Sequence, residues 1–259
     1  MSLRSPTNAP KMKSYITKIA VLILSGLAVV TGLRAAGPSE DDVGEAGSFA
    51  HPALYMGASS GFVTLSPACT PAPAPSPPAT ASNDQCFNLN PCPTLTTFTA
   101  EDICRIKLPK KATRTIIYPV LNFFHNYQLE NTTVLPVPNA LFDYRAYITI
   151  ESDALLDPSC TDPNNDGMPC NGKLQFQFTP NRVRDDRSMN PADRARNRLT
   201  FTRAGNAGIN KAQLVESGVS STIVDALFLG PMTIRLNIAG SARCVTDASI
   251  TGNMRLFGD

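Results

Sequence analysis

The chain has 259 residues, a formal net charge of +2 and no tryptophan. That length is enough to bury a substantial core in one or two domains. Near-neutral charge leaves no global field to draw the chain onto nucleic acid or a membrane surface, so neither is an expected partner.

Lys11, Lys13 and Lys18 precede a charge-free run from Ile19 to Leu33, and the first acidic residue is Glu40. A basic start followed by a short apolar stretch is the pattern of a signal segment, and the run falls short of the ~20 residues a spanning helix needs. Residues 1–36 are therefore read as a signal segment, with Met12 as a natural start, and the protein as exported to the periplasm, the cell surface or the medium. Uncleaved, that segment would be the one membrane attachment. All seven cysteines lie beyond it, as expected where disulfides form. Seven is odd, so one thiol is left over or one bridge joins two chains. The absence of Cys-x-x-Cys pairs, with only His51 and His125 as histidines, argues against a zinc site.

Residues 37–69 are small, polar and weakly patterned, and read as a poorly ordered N-terminal arm with one strand-like patch at Gly61–Ser66. Within them, Gly57-Ala-Ser-Ser-Gly61 matches the G-x-S-x-G nucleophile elbow, but without the strand before and helix after that an elbow requires. Residues 70–83, rich in proline, alanine and serine, read as an extended spacer. The globular domain is then expected over 84–259.

That domain reads as mainly β. Ala146, Ile148 and Ile150 alternate with polar neighbours, as do Leu174, Phe176 and Phe178, then Ile234, Leu236 and Ile238, and finally Ile250, Met254 and Leu256. Period-two alternation means sheets with one face on a core and one in water, hence antiparallel pairing. Thr115–Tyr118 is a further strand, ended by Pro119, and Leu199–Thr202 another. Short helices are expected over Pro191–Arg198, Asn210–Glu216 and Ser220–Leu229. The fold expected is an antiparallel β-sandwich, with a β-barrel as the alternative, carrying short helical insertions.

The most specific local signal lies between Cys160 and Cys170. Asp162, Asn164 and Asp166 alternate and are followed by Gly167, as at the opening of a calcium loop. A hard cation takes several oxygens, and glycine lets the chain wrap around it; Met168 would add a backbone carbonyl. The segment resembles the short calcium loops of thrombospondin type 3 repeats and of excalibur-type extracellular domains over about ten residues. It departs from a full EF-hand loop, since Lys173 stands where the closing glutamate would be. Bound calcium would be structural. The competing reading is a plain Asx/Gly turn closed by a Cys160–Cys170 bridge.

Arg182, Arg184, Arg187, Arg194, Arg196 and Arg198 form a locally basic stretch that could take an anionic glycan or lipid head group. The alternative is internal pairing with the neighbouring aspartates. Glu151, Asp153 and Asp157 cluster at a strand end, and Tyr118, Phe123, Phe124, Tyr127 and Tyr147 could stack on sugars. Asn131-Thr-Thr133 fits a glycosylation sequon. These features favour a non-catalytic envelope or extracellular protein that binds a glycan, a surface polymer or another envelope protein. A secreted polysaccharide hydrolase and a subunit of a surface filament or layer are the alternatives.

Overall fold

The structure, a computed structural model, describes residues 54–69, 80–164, 167–204 and 208–259. In chain order its strands are β1 (Leu54–Ser66), β2 (Thr80–Ser82), β3 (Gln85–Asn88), β4 (Thr96–Leu108), β5 (Ile116–Glu130), β6 (Val137–Glu151), β7 (Thr161–Asp162), β8 (Met168–Pro169), β9 (Lys173–Met189), β10 (Arg194–Ala204), β11 (Ile209–Asn210), β12 (Met232–Arg243) and β13 (Val245–Gly258). Helices α1 (Lys211–Glu216) and α2 (Ser221–Leu229) lie between β11 and β12. The first sheet runs β10-β5-β13-β1-β3, with β11 on the end of β5, and the second runs β2-β4-β12-β6-β9. All pairings are antiparallel except β1 with β3. The two sheets pack as a β-sandwich, not as a closed barrel.

Alternation explains what lies between the sheets. Val63, Leu65, Leu121, Ile250, Met254 and Leu256 from the first meet Ile148, Ile150, Ile234, Leu236 and Ile238 from the second, all at most 1% exposed. Toward one edge the filling is aromatic. Tyr127 stacks on Phe142 with centroids 4.1 Å apart, and His125 lies 3.0 Å by Nδ1 from the Tyr144 hydroxyl. Burial lowers the pKa of His125 from its ordinary 6.5, favouring the neutral ring.

Three expectations need correction. The arm expected over 37–69 is in part a core strand: β1 pairs with β13 along its length and buries Val63 and Leu65 completely. Its small residues are packing requirements, since a Cβ on Gly61 would lie 1.8 Å from the Ile103 carbonyl oxygen. The same geometry puts Gly57–Gly61 inside a strand, which removes the nucleophile elbow. Residues Thr80–Ser82, expected in the spacer, pair with β4, while the signal segment, His51 and residues 70–79 lie outside the described residues.

Second, Pro119 does not end its strand. β5 pairs with β11 at residues 116–117 and with β10 from 120 onward, so on that edge residue 119 sits between two partners and its missing N–H costs no ladder bond. Third, the helix expected over Pro191–Arg198 is a turn followed by β10. Asn190 and Asp193 close the turn, with the Asn190 N–H donating to the Asp193 carboxylate at 2.7 Å, and β10 then pairs with β5. The other two helices form where expected, with the Asn210 side chain capping α1 by accepting from the Gln213 N–H at 2.8 Å.

Disulfides join Cys69 to Cys86, Cys92 to Cys244 and Cys160 to Cys170, which fits a chain folded where thiols oxidise. The cysteine left over is Cys104, fully buried in β4, and burial pushes its thiol up to about 12. No helix among the described residues is long and apolar enough to cross a membrane.

Asp259 fastens the last strand. Its carboxylate accepts from the backbone N–H groups of Arg114, Thr115 and Ile116 at 3.0, 2.9 and 3.2 Å and from the hydroxyls of Thr113 and Thr115. Burial alone would raise its pKa, but these donors outweigh burial and hold it far below the carboxylate range. A depressed folded pKa stabilises above the unfolded value of 3.8, and that contribution is lost as pH falls through the folded value. Asp259→Asn should therefore cost about 2 kcal/mol at neutral pH, with the deficit shrinking in acid. Urea denaturation of both proteins from neutral pH down to strongly acidic conditions checks this, and a pH-independent deficit would count against it.

Candidate functional site

The outward residues of β4, β12, β6 and β9 are almost all polar, and they floor a trough on the outer face of the second sheet. Its first wall is a β-bulge. The register passes from Cys104–Leu236 to Ala100–Ile238, so Glu101, Asp102 and Ile103 oppose Asn237 alone, and Asp102 takes a φ of 58°. Asn237, only 3% exposed, fills the gap: its Oδ1 accepts from the Asp102 N–H at 2.7 Å and its Nδ2 donates to the Thr149 hydroxyl at 2.9 Å.

The bulge brings the Asp102 carboxylate onto both Arg105 and Arg235. Arg235 also reaches Glu151 at 2.6 Å, and Glu151 meets Lys173 at 3.2 Å. Burial raises the pKa of Asp102, and the two guanidinium groups offset this only in part. Burial also pushes Glu151 upward, but the bonds from Arg235 and Lys173 prevail and lower it. Both acids are thus tied into one ion-pair chain, Glu151 through both oxygens and Asp102 through Oδ2, while Asp102 Oδ1 is buried without a hydrogen-bond partner.

The second wall is the hairpin of β7 and β8, closed by the Cys160–Cys170 bridge. Asp162, 4% exposed, fixes it to β9. One carboxylate oxygen accepts from the Asn164 N–H and the other from the Gln175 N–H, each at 2.9 Å. Gly167, at φ 70°, supplies the turn, and its N–H donates to the Asp162 carbonyl at 3.0 Å. Of the residues expected to ligate calcium, Asp162 and Met168 are ladder partners in this hairpin, Asn164 follows in its turn, and Asp166 lies outside the described residues. Among the described residues no group of three His, Cys, Asp or Glu side chains gathers as a metal site.

Three adjoining cavities run along the floor, the central one between the two walls. The central one, of about 530 Å³, is lined by Glu101, Tyr147, Thr149, Gln175 and Arg235 among others. A second, of about 480 Å³, adjoins it at Glu151 and Lys173, near the starts of β9 and β12. The third, of about 450 Å³, adjoins it at Tyr147 and Gln175 and continues over Thr97, Arg145, Gln177 and Ser241. Along β12 the lining runs from residue 231 to 241, which at the rise of a strand is roughly 33 Å.

The other candidates are placed elsewhere or differently occupied. The arginines sit on two strands of different sheets, and five have carboxylate partners: Arg182 with Asp143, Arg184 with Asp186, Arg187 with Asp185, Arg194 with Glu130 and Arg196 with Asp247. Arg198 lies 4.9 Å over the Phe124 ring. Phe123 and Tyr127 are core residues, Tyr118 is exposed, and only Tyr147 reaches the trough. Glu151 and Asp153 line it, whereas Asp157 caps a turn by accepting from Ser159. Asn131 is fully buried and donates to the carbonyls of Leu135 and Met189, so its amide is not available for glycosylation in the folded chain. Gln175, Arg235 and Asn237 carried no motif. Their signal was that the outward parity of three strands is almost all polar, which shows as a site only when those strands are neighbours.

Removing the shared cation should expose how tightly the floor is held. Arg235→Gln leaves two partly buried carboxylates short of a partner and should cost about 2 kcal/mol. Chemical denaturation at neutral pH measures it, and an unchanged midpoint would mean that water replaces the guanidinium at no cost.

Comparison with protein-family models, with curated proteins and with solved structures finds no match to this chain.

Proposed function

We propose that the protein is an exported, non-catalytic binding module that seats an extended polar polymer, a glycan of a surface or matrix, in the trough on the second sheet. The observation that carries this reading is the trough's form: an open run of adjoining cavities of roughly 33 Å on a mostly polar floor, with one half-buried aromatic, Tyr147, at its centre. A small ligand would need a closed pocket, whereas a polymer gains from a long, open, pre-formed surface. Support for a non-catalytic role comes from Glu151, whose two oxygens are taken up by Arg235 and Lys173, and from Asp102, whose Oδ2 is shared by Arg105 and Arg235 while its Oδ1 is buried out of reach of solvent. The signal pattern at Lys11–Leu33 and the three bridges support export.

Co-sedimentation with insoluble polysaccharides and cell-wall preparations tests the reading. The wild type should pellet with at least one of them, and Tyr147→Ala combined with Gln175→Ala should stay in the supernatant with an unchanged β spectrum. A wild type that pellets with none, or a double variant that pellets equally well, would remove the trough from consideration. Release of reducing ends would replace the proposal with a hydrolase.

The spacing of Asp162, Asn164 and Asp166 before Gly167 supports an ancillary proposal, that calcium stiffens the hairpin wall. An open site without a closing glutamate should bind weakly, in the range of ~10⁻⁴–10⁻³ M. Melting in millimolar calcium should then exceed melting in chelator by a few degrees. Superimposable curves would leave the wall to its disulfide and the two Asp162 bonds.

A further inference from the structure

The charges in the trough restrict what it can hold. Six carboxylates line it: Glu101, Asp102, Asp143, Glu151, Asp153 and Asp162. Four cations line it as well, namely Lys107, Arg145, Lys173 and Arg235. Arg105 and Arg182, bonded to Asp102 and Asp143, bring the balance to zero. The cancellation is local as well as total. Arg182 grips Asp143 through two bonds of 2.6 Å, Arg235 spans Asp102 and Glu151, and Asp162 is met by two backbone N–H groups. Among the described residues Lys107 and Arg145 have no carboxylate within ion-pair distance, yet each has an unpaired acid close by. Asp153 shares a cavity with Lys107, and Glu101 and Arg145 line cavities that meet at Tyr147.

An anionic polymer would find no uncompensated cation row here. To reach Arg235 or Arg182, its carboxylates would have to displace ones already held in good geometry, exchanging one ion pair for another with no net gain. Hydroxyl groups face a different surface. The side-chain amides of Asn171, Gln175 and Gln177 have no hydrogen-bond partner among the described residues, and each offers both a donor and an acceptor toward the trough. Tyr147 stands among them with an apolar ring and a polar tip.

We infer that the polymer held in the trough is a neutral, hydroxyl-rich polysaccharide, read by the amides of Gln175 and Gln177 around a Tyr147 platform. The inference rests on the reading of the trough as a polymer seat and adds the chemical class of the polymer. It also gives the paired arginines a role: they set the local field to zero, where free arginines would gather acids.

Affinity electrophoresis and calorimetry on the full chain test it, using soluble mannan, laminarin and xyloglucan as neutral probes and polygalacturonate and alginate as anionic ones. At least one neutral polymer should bind with a Kd that changes less than about two-fold between low salt and ~0.5 M salt, because no charge is neutralised on binding. Uronates should bind at least ~10-fold more weakly. Gln175→Ala and Gln177→Ala should each weaken the neutral complex several-fold, while Arg194→Ala, on the first sheet, leaves it within about two-fold. Preference for a uronate, or a Kd that rises ten-fold or more with salt, would overturn the neutral class and leave the trough as the seat. Failure of every polymer to bind the wild type would overturn both, and full binding by Tyr147→Ala would place the seat elsewhere.

Discussion

Three residues of β4 stand opposite one residue of β12, and the buried amide of Asn237 takes the place of the ladder bonds that this mismatch breaks. Both faces of the sandwich follow from that substitution. On the inner side the bulge turns the Ile103 carbonyl toward β1, so closely that residue 61 has to be glycine for the first strand of the sandwich to lie down at all. On the outer side it lifts Glu101 and Asp102 into a wall and brings Asp102 onto Arg235. An aspartate in the same position would still accept from the Asp102 N–H, but it would bury a charge and could not donate to Thr149. The neutral amide serves both because it carries both functions.

The fold class was legible because the strands that make the core alternate cleanly, and no other structure satisfies that period. What was not legible was decided by partners distant in sequence. Pro119 reads as a strand end in isolation and is harmless in place only because β10 stops and β11 starts on either side of it. Residues 54–66 look too small and polar for a core, since nothing local announces that Gly61 must clear another strand's backbone. Asn190-Pro191 carries a real helix-start signal, but the chain beyond it alternates and finds β5 open to pairing. The site was the least visible part. Tyr147 was noticed as an aromatic, whereas Gln175, Arg235 and Asn237 become a surface only when β6, β9 and β12 lie side by side.

The arginine-rich stretch shows the same limit from another side. As text it is a basic block, and a basic block invites an anion. In the structure Arg182 answers Asp143 from 39 residues away, and Arg194 and Arg196 answer Glu130 and Asp247 on other strands. Placed on edge strands, such residues also discourage another chain from adding to the sheet, because unpaired backbone there is flanked by solvated charge. The chain's low net charge is therefore a local property as much as a global one, built pair by pair across strands.

Asn131 has a consequence for how this protein can be made. Its triplet is a legitimate acceptor for an oligosaccharide, yet the same amide nitrogen is needed to tie the turn after β5 to Leu135 and Met189. In a host without the transferase the two uses never compete. In a eukaryotic secretory pathway the transferase meets the chain before β6 and β9 have closed over it, and a sugar attached then would occupy the place of those two carbonyls. The host chosen for production thereby decides whether this loop closes, and a heterogeneous, partly folded product from such a host would trace to one side chain.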